Sequence, residues 1–136
     1  MEEKKEQATE RFQKMYNCCH AVACTYCEDL GIREQDMFRM TEGFGSGIGG
    51  LKDTCGAAMG MFLTLSLANS AGDREDPCAT KMDTYAKFLE AAEAFQKERG
   101  SLYCRDLKKM CIRDRIEADH VKSVVFDETM VRNLLL

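Results

Sequence analysis

The stretch Ala57-Ala-Met-Gly-Met-Phe-Leu-Thr-Leu-Ser-Leu-Ala68 carries no charged residue, and a chain that contains it must hide it from water along most of its length. Interrupted by Thr64 and Ser66, it is shorter than the ~20 apolar residues that a membrane-spanning helix needs. The remaining solution is a buried helix with other elements on several sides. Asp53 or Thr54 is placed to cap it, which predicts a central apolar helix over about 53–69.

The segments around it read as helices too. Glu2 to Tyr16 is rich in helix formers, with Glu10 and Lys14 spaced for an i,i+4 pair. Asn17 is a favoured N-cap, and Cys19, Val22, Ala23, Tyr26 and Leu30 follow on one face before Gly31 ends the run. Arg33 to Thr41 forms a shorter stretch that leads into a glycine-rich loop. After the polar segment Ser70 to Asp76, Pro77 suits a first helical turn, and Met82, Tyr85, Phe88, Leu89, Ala92 and Phe95 recur at helical spacing as far as Gly100. Ser101 is placed to cap a short helix holding Leu102, Cys104 and Leu107. The expected fold is all-α, a compact bundle of five to six helices around the central one. A single proline and nine methionines suit helices with adaptable packing.

Charge narrows the partners. With 19 basic and 23 acidic residues the net charge is −4, so no global basic field attracts nucleic acid or an anionic membrane. The charged start, Met1 to Gln7, has no apolar core followed by a small-residue cleavage site. A cytoplasmic location follows as the expectation. Eight cysteines in a chain with a core of this size, in a reducing compartment, are then expected to be mainly thiols rather than a disulfide framework.

Three motifs bear on chemistry. Gly45-x-Gly47-x-x-Gly50 has the letters of a dinucleotide fingerprint, but a helix precedes it where the fingerprint requires a strand. It reads instead as a tight reversal needing positive φ. His20, Cys24 and Cys27 fall on one helical stripe, a partial metal-ligand set that competes with ordinary half-buried packing. Cys55-Gly-Ala-Ala-Met-Gly60 is the most informative segment. A cysteine in the first turn of a helix feels the backbone dipole that favours thiolate, and Lys52 adds positive charge nearby. Gly56 and Gly60 lie one turn apart and present bare backbone, so another helix or a small ligand can come close beside the sulfur. Cys18, after Asn17, and Cys104, three residues after Ser101, occupy equivalent helix starts. Thiols gathered in that way can form a disulfide, attack an electrophile or bind a soft metal.

The ordered set Asn17-Cys18 with Ala21-Val22, Gly43-Phe44-Gly45, Gly47-Ile48-Gly49, Cys55-Gly-Ala-x-x-Gly60 and Gly100-Ser101-x-x-Cys104-Arg-x-Leu107 resembles the C_GCAxxG_C_C family of redox-active proteins, from about Phe12 to Leu107. The resemblance implies a small, largely helical prokaryotic protein with four characteristic cysteines, encoded in some cases beside transporter genes. Its redox role is itself inferred from those cysteines. Three of them correspond to Cys18, Cys55 and Cys104. The fourth belongs well beyond Cys104, whereas the only later cysteine here, Cys111, comes much sooner. Cys19, Cys24, Cys27 and Cys78 lie outside the pattern.

Lys109-Met-Cys-Ile-Arg-Asp-Arg115 can be encoded by AAG ATG TGT ATA AGA GAC AG followed by a purine, a string that contains the transposon end used in sequencing-library preparation. The expected organisation is therefore one helical domain over 1–108 and a tail, 109–136, of doubtful origin that reads as adapter read-through. The functional expectation is a thiol-redox protein with thiol–disulfide oxidoreductase-like activity. Cys55 is its reactive thiolate, Cys18 or Cys104 its resolving partner, and Gly56 and Gly60 leave room for a ligand. Its partner would be a small thiol, a redox protein or a transporter-associated system. Two alternatives use the same residues: a soft-metal module in which Cys18, Cys55 and Cys104 hold zinc or an iron–sulfur cluster, and a helical interaction protein whose cysteines only pack.

Overall fold

A computed structural model describes residues 2–107; the expected tail over 109–136, with Cys111 and His120, lies outside the described residues. The described chain is all-α. Its helices are α1 (Glu2–Gln13), α2 (Cys18–Tyr26), α3 (Glu34–Thr41), the short α4 (Gly45–Ile48), α5 (Gly56–Asn69), α6 (Lys81–Arg99) and the single-turn α7 (Cys104–Leu107). Extended pairing among the described residues is limited to one antiparallel bridge between Thr54 and Tyr103.

Local chemistry accounts for most boundaries. The Lys14 ammonium reaches Glu10 at 3.1 Å across one turn of α1's C-terminal end. Asn17 caps α2, and Gly31 ends the turn that follows in a left-handed conformation, φ 86°. Two starts differ from the sequence expectation. Helix α5 begins at Gly56, with Cys55 rather than Asp53 or Thr54 as its N-cap, because residues 53 and 54 are held extended against 102–104. Helix α6 begins at Lys81, because Asp76 first organises a separate turn in which its carboxylate accepts the Cys78 N–H at 3.3 Å.

The interior lies where α2 crosses α5. Every residue from Cys19 to Tyr26 is buried, and no residue of α5 is exposed. The crossing is close because α5 presents glycine there: a Cβ on Gly60 would lie 2.8 Å from Val22 Cβ and 3.0 Å from the Cys19 carbonyl oxygen. One cluster of buried residues gathers Ala21, Val22, Ala57, Ala58, Met61, Leu65, Ala91 and Phe95 from α2, α5 and α6. A second packs Ala23, Cys24, Cys27 and Met37 between α2 and α3.

Helix α6 turns inward a face that shares Phe88 and Phe95 with the stripe its spacing suggests but not Met82, Tyr85 or Leu89. It turns Thr84, Ala91 and Phe95 to the core, and Phe88 stacks on Phe62 of α5 with ring centroids 4.9 Å apart. Met82, Tyr85 and Leu89 are exposed. Choosing Thr84 over Met82 puts the paired rings and Ala91 against α5, where the helices can approach.

Candidate functional site

Asn17 sets the backbone of Cys18. Its side-chain oxygen accepts the His20 N–H at 2.8 Å, and its own N–H donates to His20 Nδ1 at 3.1 Å. The two residues thus form a capping box with histidine in the position more often held by Glu or Gln. Cys18, half-buried, is the first residue of the helix so capped. The other His20 nitrogen, Nε2, lies 3.0 Å from the Phe38 carbonyl oxygen. Since a carbonyl only accepts, the proton sits on Nε2, and both ring nitrogens are engaged. Burial lowers the His20 pKa and favours this neutral form.

That engagement removes His20 from the stripe with Cys24 and Cys27. The two thiols are buried, and desolvation pushes Cys24 up to about 12 and raises Cys27. Cys19, fully buried beside them, is likewise pushed up to about 12 by burial. These three cysteines stay protonated at neutral pH and pack as small apolar residues.

Cys55 is the N-cap of α5, only 5% exposed. Its N–H donates to the Leu102 carbonyl at 2.7 Å, the Cys104 N–H donates to the Asp53 carbonyl at 2.6 Å, and the Arg105 N–H to the Lys52 carbonyl at 3.2 Å. These bonds, flanking the Thr54–Tyr103 bridge, tie the start of α7 to the start of α5. Ser101 does not cap a helix over Leu102; its hydroxyl accepts the Tyr103 N–H at 3.0 Å and donates to Asp106 at 2.8 Å, so α7 opens at Cys104 itself, half-buried. From the other side α2 brings Cys18 against α5. A Cβ built on Gly56 would lie 3.1 Å from Cys18 Cβ and 3.0 Å from the Phe44 carbonyl oxygen. The bare faces of Gly56 and Gly60 are therefore filled by α2 and the loop before α4.

The glycine loop completes the surroundings. Ser46, Gly47, Ile48, Gly49 and Gly50 all have positive φ, and the Gly49 N–H bonds the Gly45 carbonyl at 2.9 Å, so α4 is one turn of left-handed helix. The literal dinucleotide motif is a reversal, with helix α3 before it. Gly47 sits where a Cβ would be 2.7 Å from Cys104 Cβ and 2.6 Å from Lys52 Cα. The Asp53 N–H bonds the Gly47 carbonyl at 3.0 Å.

No disulfide joins cysteines among the described residues. Nor does any group of three or more His, Cys, Asp or Glu among them sit in an arrangement able to hold a metal ion, so Cys18, Cys55 and Cys104 as placed do not fit a zinc or iron–sulfur site. No described helix is long and apolar enough to cross a membrane. The role of His20 and the Asn17 contact with the loop were not read from the sequence, although Asn-x-x-His has the spacing of a capping box.

A protein of Archaeoglobus fulgidus named "Uncharacterized protein" is 32% identical over 112 residues, covering 78% of this chain and 74% of that one. No solved structure matches the chain. The family profile described as "Putative redox-active protein (C_GCAxxG_C_C)" covers residues 16–128. By that match, and by the placement of Cys18, the Cys55-to-Gly60 motif and Cys104, the chain belongs to the C_GCAxxG_C_C family.

Proposed function

We propose that this protein carries out thiol–disulfide exchange with Cys18, Cys55 and Cys104, in the cytoplasm, with a small disulfide or an oxidised protein as partner. The observation that supports it best is the backbone arrangement around Cys55. Leu102 and Asp53 carbonyls bind the chain of Cys55 to that of Cys104, while Gly56 admits Cys18 on the other side.

Burial suggests a division of labour different from the sequence expectation. Exchange with an external disulfide needs a sulfur that the partner can reach, and Cys18 and Cys104 are half-buried where Cys55 is buried. Cys18 or Cys104 attacks the partner disulfide as thiolate, forming a mixed disulfide and releasing one partner thiol. Cys55 then attacks the protein sulfur of that mixed disulfide, releasing the second partner thiol and leaving an internal disulfide. Two protein thiols are oxidised and one partner disulfide is reduced to two thiols, so electrons and protons balance.

The test uses reduced protein equilibrated anaerobically in glutathione buffers of graded oxidation, then alkylated and mapped by mass spectrometry. The expected product is a Cys18–Cys55 or Cys55–Cys104 disulfide that a Cys55→Ser variant cannot form. If all three stay reduced across the series, or if the wild type and Cys55→Ser trap identical bonds, the reading fails.

A further inference from the structure

One side chain touches both halves of this site from outside it. The Asn17 oxygen caps α2 at Cys18, while its Nδ2 donates to the Glu42 carbonyl at 3.0 Å, 25 residues away. The same side chain is pressed against the start of the glycine loop: a Cβ on Gly45 would lie 2.7 Å from Asn17 Cβ and 2.8 Å from its Nδ2. From Gly45 the path to Cys104 is short. The Gly45 carbonyl closes the left-handed turn through Gly49, and Gly47 within that turn lies against Cys104 Cβ and binds the N–H of Asp53, whose carbonyl in turn receives the Cys104 N–H.

We infer that Asn17 is a positioning residue for two thiols at once, fixing Cys18 through its oxygen and Cys104 through its amide nitrogen and the loop that rests on it. The inference rests on the exchange function proposed above for the importance of those thiols, but not for the coupling itself. Both ends of the amide are required. Aspartate keeps the capping oxygen and sets a second acceptor against the Glu42 carbonyl. Serine keeps the cap but does not reach Glu42. Either replacement should therefore spare α2 and loosen the loop.

The test compares native-state alkylation rates of Cys18 and Cys104, resolved by mass spectrometry, in wild type, Asn17→Asp, Asn17→Ser, Gly45→Ala and the double variant Gly45→Ala with Asn17→Ser. Gly45 has φ −77°, which alanine adopts freely, and the three atoms nearest to its new Cβ all belong to the Asn17 side chain. Cys104 alkylation should rise about five- to tenfold in Asn17→Asp and Asn17→Ser, the change in local opening that one lost hydrogen bond permits. Gly45→Ala alone should raise it as much, and adding Asn17→Ser should bring no further rise, because both changes break the same contact between Asn17 and the loop; serine keeps the Cβ that stands 2.7 Å from the new methyl, so it does not relieve that clash. The inference is overturned if Cys104 stays within about twofold of wild type in folded Asn17→Asp and Asn17→Ser. It is equally overturned if the Gly45 and Asn17 effects multiply in the double variant. Should the Asn17 variants fail to fold, Gly45→Ala decides alone: an unchanged Cys104 rate refutes the coupling. The glutathione titration of wild type is read separately; a wild type that forms no disulfide defeats the exchange reading while leaving the alkylation result to stand.

Discussion

Replacing Gly60 by alanine adds one methyl group at the tightest point of the α2–α5 crossing. The new Cβ would stand 2.8 Å from Val22 Cβ, 3.0 Å from the Cys19 carbonyl oxygen and 3.3 Å from Val22 Cγ1. Carbon–carbon contacts are comfortable at about 3.5–4.0 Å, so the helices must part by up to ~1 Å or the carbonyl must yield. Overpacking of this kind costs about 1–3 kcal/mol, and the gain from alanine over glycine inside a helix offsets about 1 kcal/mol. The net expectation is a loss of up to about 2 kcal/mol, a fall in Tm of up to roughly 10 °C for a domain of this size. Parting the helices also carries Cys18 away from Cys55, so the yield of their disulfide should fall with it. Gly43→Ala is the control, since nothing lies within 4 Å of a Cβ there; it should leave Tm unchanged or slightly higher. Circular dichroism melts of both variants decide the matter. A Gly60→Ala protein that melts at or above wild type would refute the close-approach argument.

Three further outcomes are expected. Burial lowers the His20 pKa, so the unfolded chain takes up this proton first as pH falls; stability is full above about 6.5, the ordinary histidine value, and is lost as pH drops toward the folded value. His20→Gln, which retains a capping-box side chain, should show a smaller drop in urea midpoint between pH 7.5 and 5.5 than wild type does, and an equal drop would rule out His20 as the source. With Cys19 and Cys24 pushed up to about 12, only roughly one thiol in ten thousand is ionised at pH 8; alkylation of the native protein should modify Cys78, Cys18 and Cys104 well before either, and urea should abolish the difference. Leu89 is 73% exposed and Met82 71%, so Leu89→Lys and Met82→Lys should each change stability by no more than about 0.5 kcal/mol. A large loss in a urea melt would mean that this face of α6 is covered after all.

The last of these marks the limit of what spacing alone conveys. Met82, Tyr85 and Leu89 recur as regularly as Thr84, Phe88, Ala91 and Phe95, and the choice between two overlapping stripes is made by what α5 offers opposite, here Phe62. Helix content and the cap at Asn17 were legible because they depend on neighbours in sequence. The start of α5 was misplaced because Asp53 and Thr54 serve a pairing with residues 102–104, far along the chain. The three cysteines were legible as a pattern, yet their environments were not: the burial of Cys55 follows from α2 and α7 arriving on either side. Gly56 and Gly60 were readable as a place of close approach, and only the packed fold shows that α2 is what approaches.

The left-handed turn at Ser46–Gly50 has a consequence for chemistry at the scale of chirality. An L-residue pays roughly 1–2 kcal/mol to adopt that sense, and Ser46 and Ile48 both do so. A fragment spanning 45–50 would keep the Gly49-to-Gly45 bond but lose those from Lys52 and Asp53, and should not hold this shape in isolation. For the same reason a protein assembled by ligation with D-serine at position 46 should be more stable than the natural one. In that short stretch the mirror-image amino acid is the better fit, and the natural chain is held against its own handedness by the segment that leads to Cys55.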